Sequence, residues 1–220
     1  MIAVTCSQCS GIEEQFNEAI ARKTLKRFRR RGPDRTTRLL IEGLRLALDR
    51  DRISGTKLLD IGAGIGAIHH VLLTAGVEHA VHVDASSAHL AAARDETERR
   101  GHNGLVEFMR GDFVDIAEHI ASADVVTLDR VICCYHDMKR LVRLSAERAL
   151  HLYGAVYPRG TRWMRAGIAV INILMRIKRS PFRTFQHDPV EIDAVLRAAG
   201  LHRRHIQRSF GWEIVVYERR

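Results

Sequence analysis

The chain has 220 residues, of which 46% are hydrophobic and 28% charged, and it carries a formal net charge of +9. That apolar share excludes a disordered chain, and the length suits one α/β domain with some decoration. Met1 to Gly11 lacks the basic start and long apolar run of a secretory signal, and the longest greasy stretch, Gly167 to Met175, is too short to span a bilayer. A cytoplasmic protein with reduced thiols is the expectation.

The first 52 residues carry twelve basic and seven acidic side chains. From Gly11 to Arg31, Ile12, Phe16, Ala19, Ile20, Leu25 and Phe28 recur at helical spacing and predict one helix. Gly32-Pro33 breaks it, and Asp34 to Asp49 predicts a second, with Leu39, Leu40, Leu44 and Leu48 on its inner face. Residues 1–52 therefore read as an N-terminal helical cap, ahead of a ligand-binding domain over 53–220. Between Thr56 and Tyr157, five short apolar strands alternate with helical segments, which predicts a doubly wound, mostly parallel sheet.

The first strand closes on Asp60 and opens into Gly62-Ala63-Gly64-Ile65-Gly66, directly before a helical segment. Glycines there permit positive φ and close approach of a ligand, and the helix start adds free N–H groups. Gly62, Gly64 and Ala67 also satisfy a loose dinucleotide pattern, so a nicotinamide cofactor is one reading. The next strand closes on Asp84, followed by Ala85, where a carboxylate can accept from both hydroxyls of a ribose. A third strand ends in Gly111-Asp112-Phe113. Ser86 and Asp115 are positioned to cap the following helices, which leaves Asp84 and Asp112 for a ligand. Ile68, Val71, Leu72 and Ala75 predict the inner face of the helix after the glycine loop, with His69 and His70 exposed.

The run Asp60-x-Gly62-x-Gly64-x-Gly66, with Asp84 and Asp112 closing the next two strands, resembles the class I S-adenosylmethionine-dependent methyltransferases. The resemblance covers Thr56 to Tyr157 well, the C-terminal pair of strands loosely and the N-terminal helices hardly at all. It implies a Rossmann-like fold with seven strands, the last, Trp212 to Tyr217, inserted antiparallel beside the fifth. It further implies that Asp60, Gly62, Ala63, Gly64, Gly66, Asp84, Ala85, Asp112, Phe113 and Asp129 hold S-adenosyl-L-methionine. In this family an acid at the position of Asp112 receives the adenine amino group, and the apolar neighbour packs on the ring.

The resemblance also implies that the loop after the fourth strand, Asp129-Arg130-Val131-Ile132-Cys133-Cys134-Tyr135-His136, faces the methyl group. Asp129, Tyr135, His136 and Arg159 are the catalytic candidates. Histidine is the residue type that titrates near neutrality, which makes His136 the candidate general base. Arg130, Tyr157, Arg159 and Trp163 are the substrate-side candidates, with an arginine able to hold a carboxylate by a bidentate pair. The loop lacks the Asn/Asp-Pro-Pro-aromatic pattern of amino-methylating nucleic-acid enzymes and the Pro-Cys of the RNA cytosine-C5 enzymes. The acceptor expected is a small molecule, anionic or partly lipophilic, with a tetrapyrrole carboxylate among the candidates. A nicotinamide-dependent oxidoreductase and a nucleic-acid-directed protein using the basic flanks are the alternatives; nucleic acid is not the favoured partner. Cys6-x-x-Cys9 and Cys133-Cys134 admit a thiolate zinc site or a thiophilic substrate, but structural thiols are the reading adopted, with no metal.

Residues 159–220 carry thirteen basic and five acidic side chains. Within 159–187, Arg162, Arg165, Asn172, Arg176 and Arg179 fall near one face of a helix rich in apolar residues. The segment reads as a lid lining the substrate pocket, with peripheral contact to an anionic membrane as the other reading. The oligomeric state has no signature in the sequence.

Overall fold

The computed structural model describes residues 7–51 and 56–220. Within them, seven strands form one sheet in the order β3-β2-β1-β4-β5-β7-β6. The parallel part comprises β1 (Lys57–Ile61), β2 (His79–Asp84), β3 (Val106–Arg110), β4 (Ala123–Asp129) and β5 (Ala149–Pro158). The closing hairpin of β6 (Leu201–Ser209) and β7 (Trp212–Arg219) places β7 antiparallel against β5, pairing Tyr157 with Glu213. This is the expected Rossmann-like methyltransferase fold. A dinucleotide fold runs 3-2-1-4-5-6 without such an insertion.

The two faces bury different residues because strand side chains alternate. Tyr153, Ala155 and Tyr157 of β5 enter the core beneath α6 (Phe113–Ile116), α7 (Met138–Glu147) and α9 (Pro189–Ala198). Leu152 and Val156 face the opposite core, with α3 (Arg35–Asp51) and α4 (Ala67–Thr74). Helix α3 rides so close to β5 that a Cβ on Gly154 would meet Leu40 Cδ1 at 2.9 Å.

The N-terminal stripe forms two helices where one was predicted. α1 (Ser7–Gln15) stops before Asn17, whose side chain accepts from Ala19 N and Ile20 N and starts α2 (Glu18–Arg31). An asparagine is among the best N-caps, so the chain kinks there. Ala21, Leu25 and Phe28 of α2 pack with Ile65 of the glycine loop and Ala92 of α5 (Ser87–Arg100). Glu96 of α5, its side chain fully buried, accepts from Arg29 of α2 at 2.7 Å and from Arg99 and Arg100 at 2.5 and 2.6 Å.

His69 and His70 are a correction. Both are fully buried, whereas Ala75, expected inside, is exposed. α4 is covered near its start, so its polar residues turn to polar partners: His69 Nδ1 lies 3.3 Å from the buried Asp60 Oδ2, and His70 Nδ1 lies 3.3 Å from Nδ1 of the half-buried His102.

Candidate functional site

After β3 the chain returns past β1 to form β4, so the connections leaving the paired ends of β1 and β4 run to opposite faces of the sheet and open a crevice. Ligands of open α/β sheets bind at that point. Here a cavity of about 460 Å³ is lined by residues of the glycine loop, the ends of β2 and β3, and the loop after β4. Its roof is the elbow between α1 and α2, through Ile12, Phe16 and Ile20. A smaller recess of about 120 Å³ continues behind the glycine loop and shares Thr24, Arg27, Gly62, Gly64, Asp129 and Arg130 with it.

Gly64 has φ of +58°, and a Cβ there would meet nothing within 4 Å, so the loop leaves open space on its outer side. Its N–H donates to Asp84 Oδ2 at 2.7 Å, and Ser86 N–H donates to Asp84 Oδ1 at 2.8 Å. A carboxylate has about four lone-pair sites, so Asp84 keeps capacity for two further donors. Burial pushes its pKa up to about 6, against the opposing pull of the two N–H groups.

Asp60 lies deeper. It is 1% exposed, with Oδ1 accepting from Thr127 Oγ1 at 2.7 Å and Oδ2 beside His69. Its carboxylate therefore braces the start of the glycine loop. Asp112 corrects the capping expectation, because it, and not Asp115, caps α6 by accepting from Val114 N–H at 2.9 Å. Its other oxygen accepts from Tyr135 O–H at 2.9 Å. That bond draws the loop after β4 toward the end of β3, with Phe113 buried beside it.

Asp129 and Arg130 belong to a network that the sequence does not display. Thr37 Oγ1 donates to Asp129 Oδ2 at 2.5 Å, and Arg130 donates to Asp129 at 3.0 Å and to Asp34 at 2.8 Å. Burial raises the Asp129 pKa, whereas Asp34 is lowered to about 2: burial raises it, but Arg130 and the Thr37 N–H outweigh that. The Arg130 backbone stands at φ of 62°, a strained value for a side-chain-bearing residue. With two carboxylates already bound, this guanidinium is a brace between α3 and β4. Arg27, which lines both compartments, is the more accessible cation.

The remaining candidates divide. Tyr135 lines the cavity, and so do Cys133 and Cys134, whose sulfurs lie 3.9 Å apart. His136 is exposed and stacked on Tyr135, outside the lining. Tyr157 is 1% exposed within the core, and Arg159 uses its backbone to bind Gly211. Trp163 stands 48% exposed on α8 (Arg162–Ile177), none of whose side chains lines the cavity; of the segment expected as a lid, Thr184 does. Cys6 and the Cys9 side chain lie outside the described residues.

Sequence reasoning missed the roof and His89. The roof is pinned by Ser86 Oγ, which donates to Phe16 O at 2.7 Å, and by Glu13, which accepts from Ser87 N–H at 3.0 Å. His89 lines the cavity with its ring 5.5 Å from that of Phe16, and burial lowers its pKa, so it is neutral at pH 7. The segment after α8 seals the roof from outside, where Gly11 approaches Phe182 so closely that a Cβ would lie 2.6 Å from its nitrogen.

Residues 59–157 match the family model of a methyltransferase domain. No curated protein matches the chain. Among solved structures, magnesium protoporphyrin IX methyltransferase from Synechocystis PCC 6803 with bound S-adenosylhomocysteine superimposes with a TM-score of 0.72 at 18% identity, covering 97% of this chain and 100% of that one. With bound S-adenosylmethionine the same protein gives 0.70 at 17%, covering 100% of both chains. An O-methyltransferase family protein from Burkholderia thailandensis gives 0.70 at 16%, covering 94% of this chain and 62% of that one. Identities this low establish the shared fold.

Proposed function

We propose that the chain, whose residues 59–157 match a methyltransferase domain, is a class I S-adenosylmethionine-dependent methyltransferase and that it methylates a small, partly lipophilic acceptor that presents an anionic group. The residues fit the cofactor. Open space lies outside Gly64, Asp84 has capacity for the ribose hydroxyls, and Asp112 with Phe113 borders the place for the adenine. The smaller recess behind the glycine loop, with Thr24 and Arg27 at its wall, suits the amino-acid end. S-adenosylmethionine supplies a methyl carbon activated by its sulfonium; the protein's own contribution is alignment, closeness and exclusion of water.

The observation that carries the acceptor class is the lining itself. Ile12, Phe16, Ile20, Val131 and Trp212 give the cavity apolar walls, and Arg27, held at 3.5 Å from Asp34 but 56% exposed, stands where the two compartments meet. Asp129 is already bound by Thr37 and Arg130, His136 stands outside, and His89 is packed on Phe16 at the roof, so the reading adopted is a nucleophile that arrives ionised, such as a carboxylate. A carboxylate-bearing tetrapyrrole belongs to that class and would enter by its acidic edge, because the same cavity must also hold the cofactor.

Calorimetric titration with S-adenosylmethionine, S-adenosylhomocysteine and NAD, alongside Asp84→Ala, tests the cofactor. Saturable binding of the two sulfur ligands, lost in the variant, is expected; binding of NAD alone would overturn the proposal. Transfer of labelled methyl across a panel of lipophilic carboxylates, phenols and amines tests the acceptor, with carboxylates the expected products.

A further inference from the structure

Helix α8 presents a surface that methyl transfer does not use. Its inner line, Met164, Ile168, Asn172 and Met175, faces the body of the protein. Asn172 binds the Thr184 backbone in both directions, at 2.8 and 2.9 Å. Another line, Trp163, Ala166, Val170, Ile173 and Ile177, recurs at the same helical spacing and faces water, with Val170 56%, Ile173 55% and Ile177 73% exposed. At one end Trp163 packs on Phe210, the 87% exposed tip of the β6–β7 hairpin, with ring centroids 5.0 Å apart. An apolar stripe of this extent on a water-facing helix marks an interaction surface.

Its charge selects the partner. Residues 159–187 hold seven Lys and Arg and no Asp or Glu. By helical spacing Arg162, Arg165 and Arg176 share the border of the stripe, Arg179 follows just past the helix end, and none pairs with an acid among the described residues. Farther along, by contrast, Arg203 pairs with Asp193 at 2.8 Å and Arg208 with Glu213 at 3.2 Å. A second copy laid antiparallel across the stripe would set Arg162 and Arg165 against Arg176 and Arg179 with no acid between them. A surface of anionic lipid complements both features, taking the stripe into its acyl boundary and the arginines at its phosphates. No helix among the described residues is long and apolar enough to cross a membrane, so the contact is peripheral.

We infer that α8 and Phe210 form a docking face for anionic membrane. The face adjoins the cavity, since Thr184, bound by Asn172, and Trp212, next to the hairpin tip, both line it. Docking sets the cavity beside the headgroups, where a lipophilic acceptor collects; this last step rests on the methyltransferase reading, whereas docking does not.

Co-sedimentation of the full chain with phosphatidylcholine vesicles, with and without phosphatidylglycerol, tests it. Binding is expected to rise at least about tenfold with the anionic lipid and to weaken with salt. Ile173→Glu is expected to reduce it about tenfold with the melting temperature and cofactor titration unchanged. Absence of lipid-dependent binding, or binding indifferent to Ile173→Glu, overturns the inference. So does a dimer by light scattering that Ile173→Glu dissociates, which would make the stripe a contact between copies. Cofactor titration on the same samples separates failure of docking from failure of the methyltransferase reading.

Discussion

At Asp84, burial and two backbone N–H donors pull protonation in opposite directions, and burial prevails, with a pKa near 6. Ribose hydroxyls donate to the ionised form, so cofactor affinity should fall as pH drops through 6. Titration of S-adenosylhomocysteine at pH 7.5 and 5 should show that weakening, and Asp84→Asn should bind about ten- to a hundredfold less tightly at pH 7.5 with the pH dependence gone. A second residue-level prediction concerns Thr37, which donates to the half-buried Asp129 and accepts from Arg130. Thr37→Val should cost about 0.5–1.5 kcal/mol by thermal or urea unfolding, because Asp129, at the cavity wall, loses a side-chain donor that water replaces only in part. The strand-end acids were legible because each stands in a local motif. Their partners were not, since Thr37 and Asp129 are 92 positions apart. Tyr157 was misplaced for a related reason: its position at the end of β5 is readable, but which face of the sheet it enters depends on register with β4 and β7.

Among the elements, α3 is fixed by close approach to β5 at Gly154, where an added Cβ would lie 2.9 Å from Leu40 and 3.3 Å from Leu44. Both leucines are fully buried and have little room to move. Gly154→Ala should therefore destabilise by about 1–3 kcal/mol, seen as a lower urea midpoint with unchanged slope. The strand–helix alternation was legible because periods of 2 and 3.6 can be read from a single sequence. The elbow at Asn17 was not, because the apolar stripe runs on across it while the cap interrupts the backbone. That elbow matters to function, for it sets Ile12 and Phe16 of one arm and Ile20 of the other over the cavity, while Ala21, Leu25 and Phe28 farther along α2 pack against the body. For α8 the apolar character was legible, but its direction depends on the tertiary position of Asn172 and Thr184.

The molecule as a whole carries a histidine column beneath the glycine loop, and it makes stability depend on pH. His69, His70 and His82 are fully buried, with ring centroids 4.3 Å apart for the first pair and 5.1 Å for His69 and His82. Burial, reinforced by the neighbouring histidines, lowers His70 to about 2 and His82 well below its ordinary value. An unfolded histidine titrates near 6.5, so below that pH the unfolded chain takes up protons that the native state refuses. The stability contributed by these neutral rings is complete above pH 6.5 and is lost progressively as pH falls toward the native value. Two such groups cost about 2 kcal/mol between pH 6.5 and 5.5. Asp84 acts in the opposite sense: raised to about 6, it takes a proton in the native state before the unfolded chain does, and offsets part of the loss. The stability that the lowered acids, Asp34 and Glu96, contribute is present at neutral pH and is lost only in a more acidic window, below the ordinary carboxylate range. Urea unfolding from pH 7.5 to 5 should therefore show stability declining well above the carboxylate range. His82→Phe, with the ring packed on Phe108, should shallow the decline by about one proton, and Asp84→Asn should steepen it. A midpoint that stays level from pH 7.5 to 5.5 in the wild-type protein would show that His70 and His82 are not neutral and buried in solution.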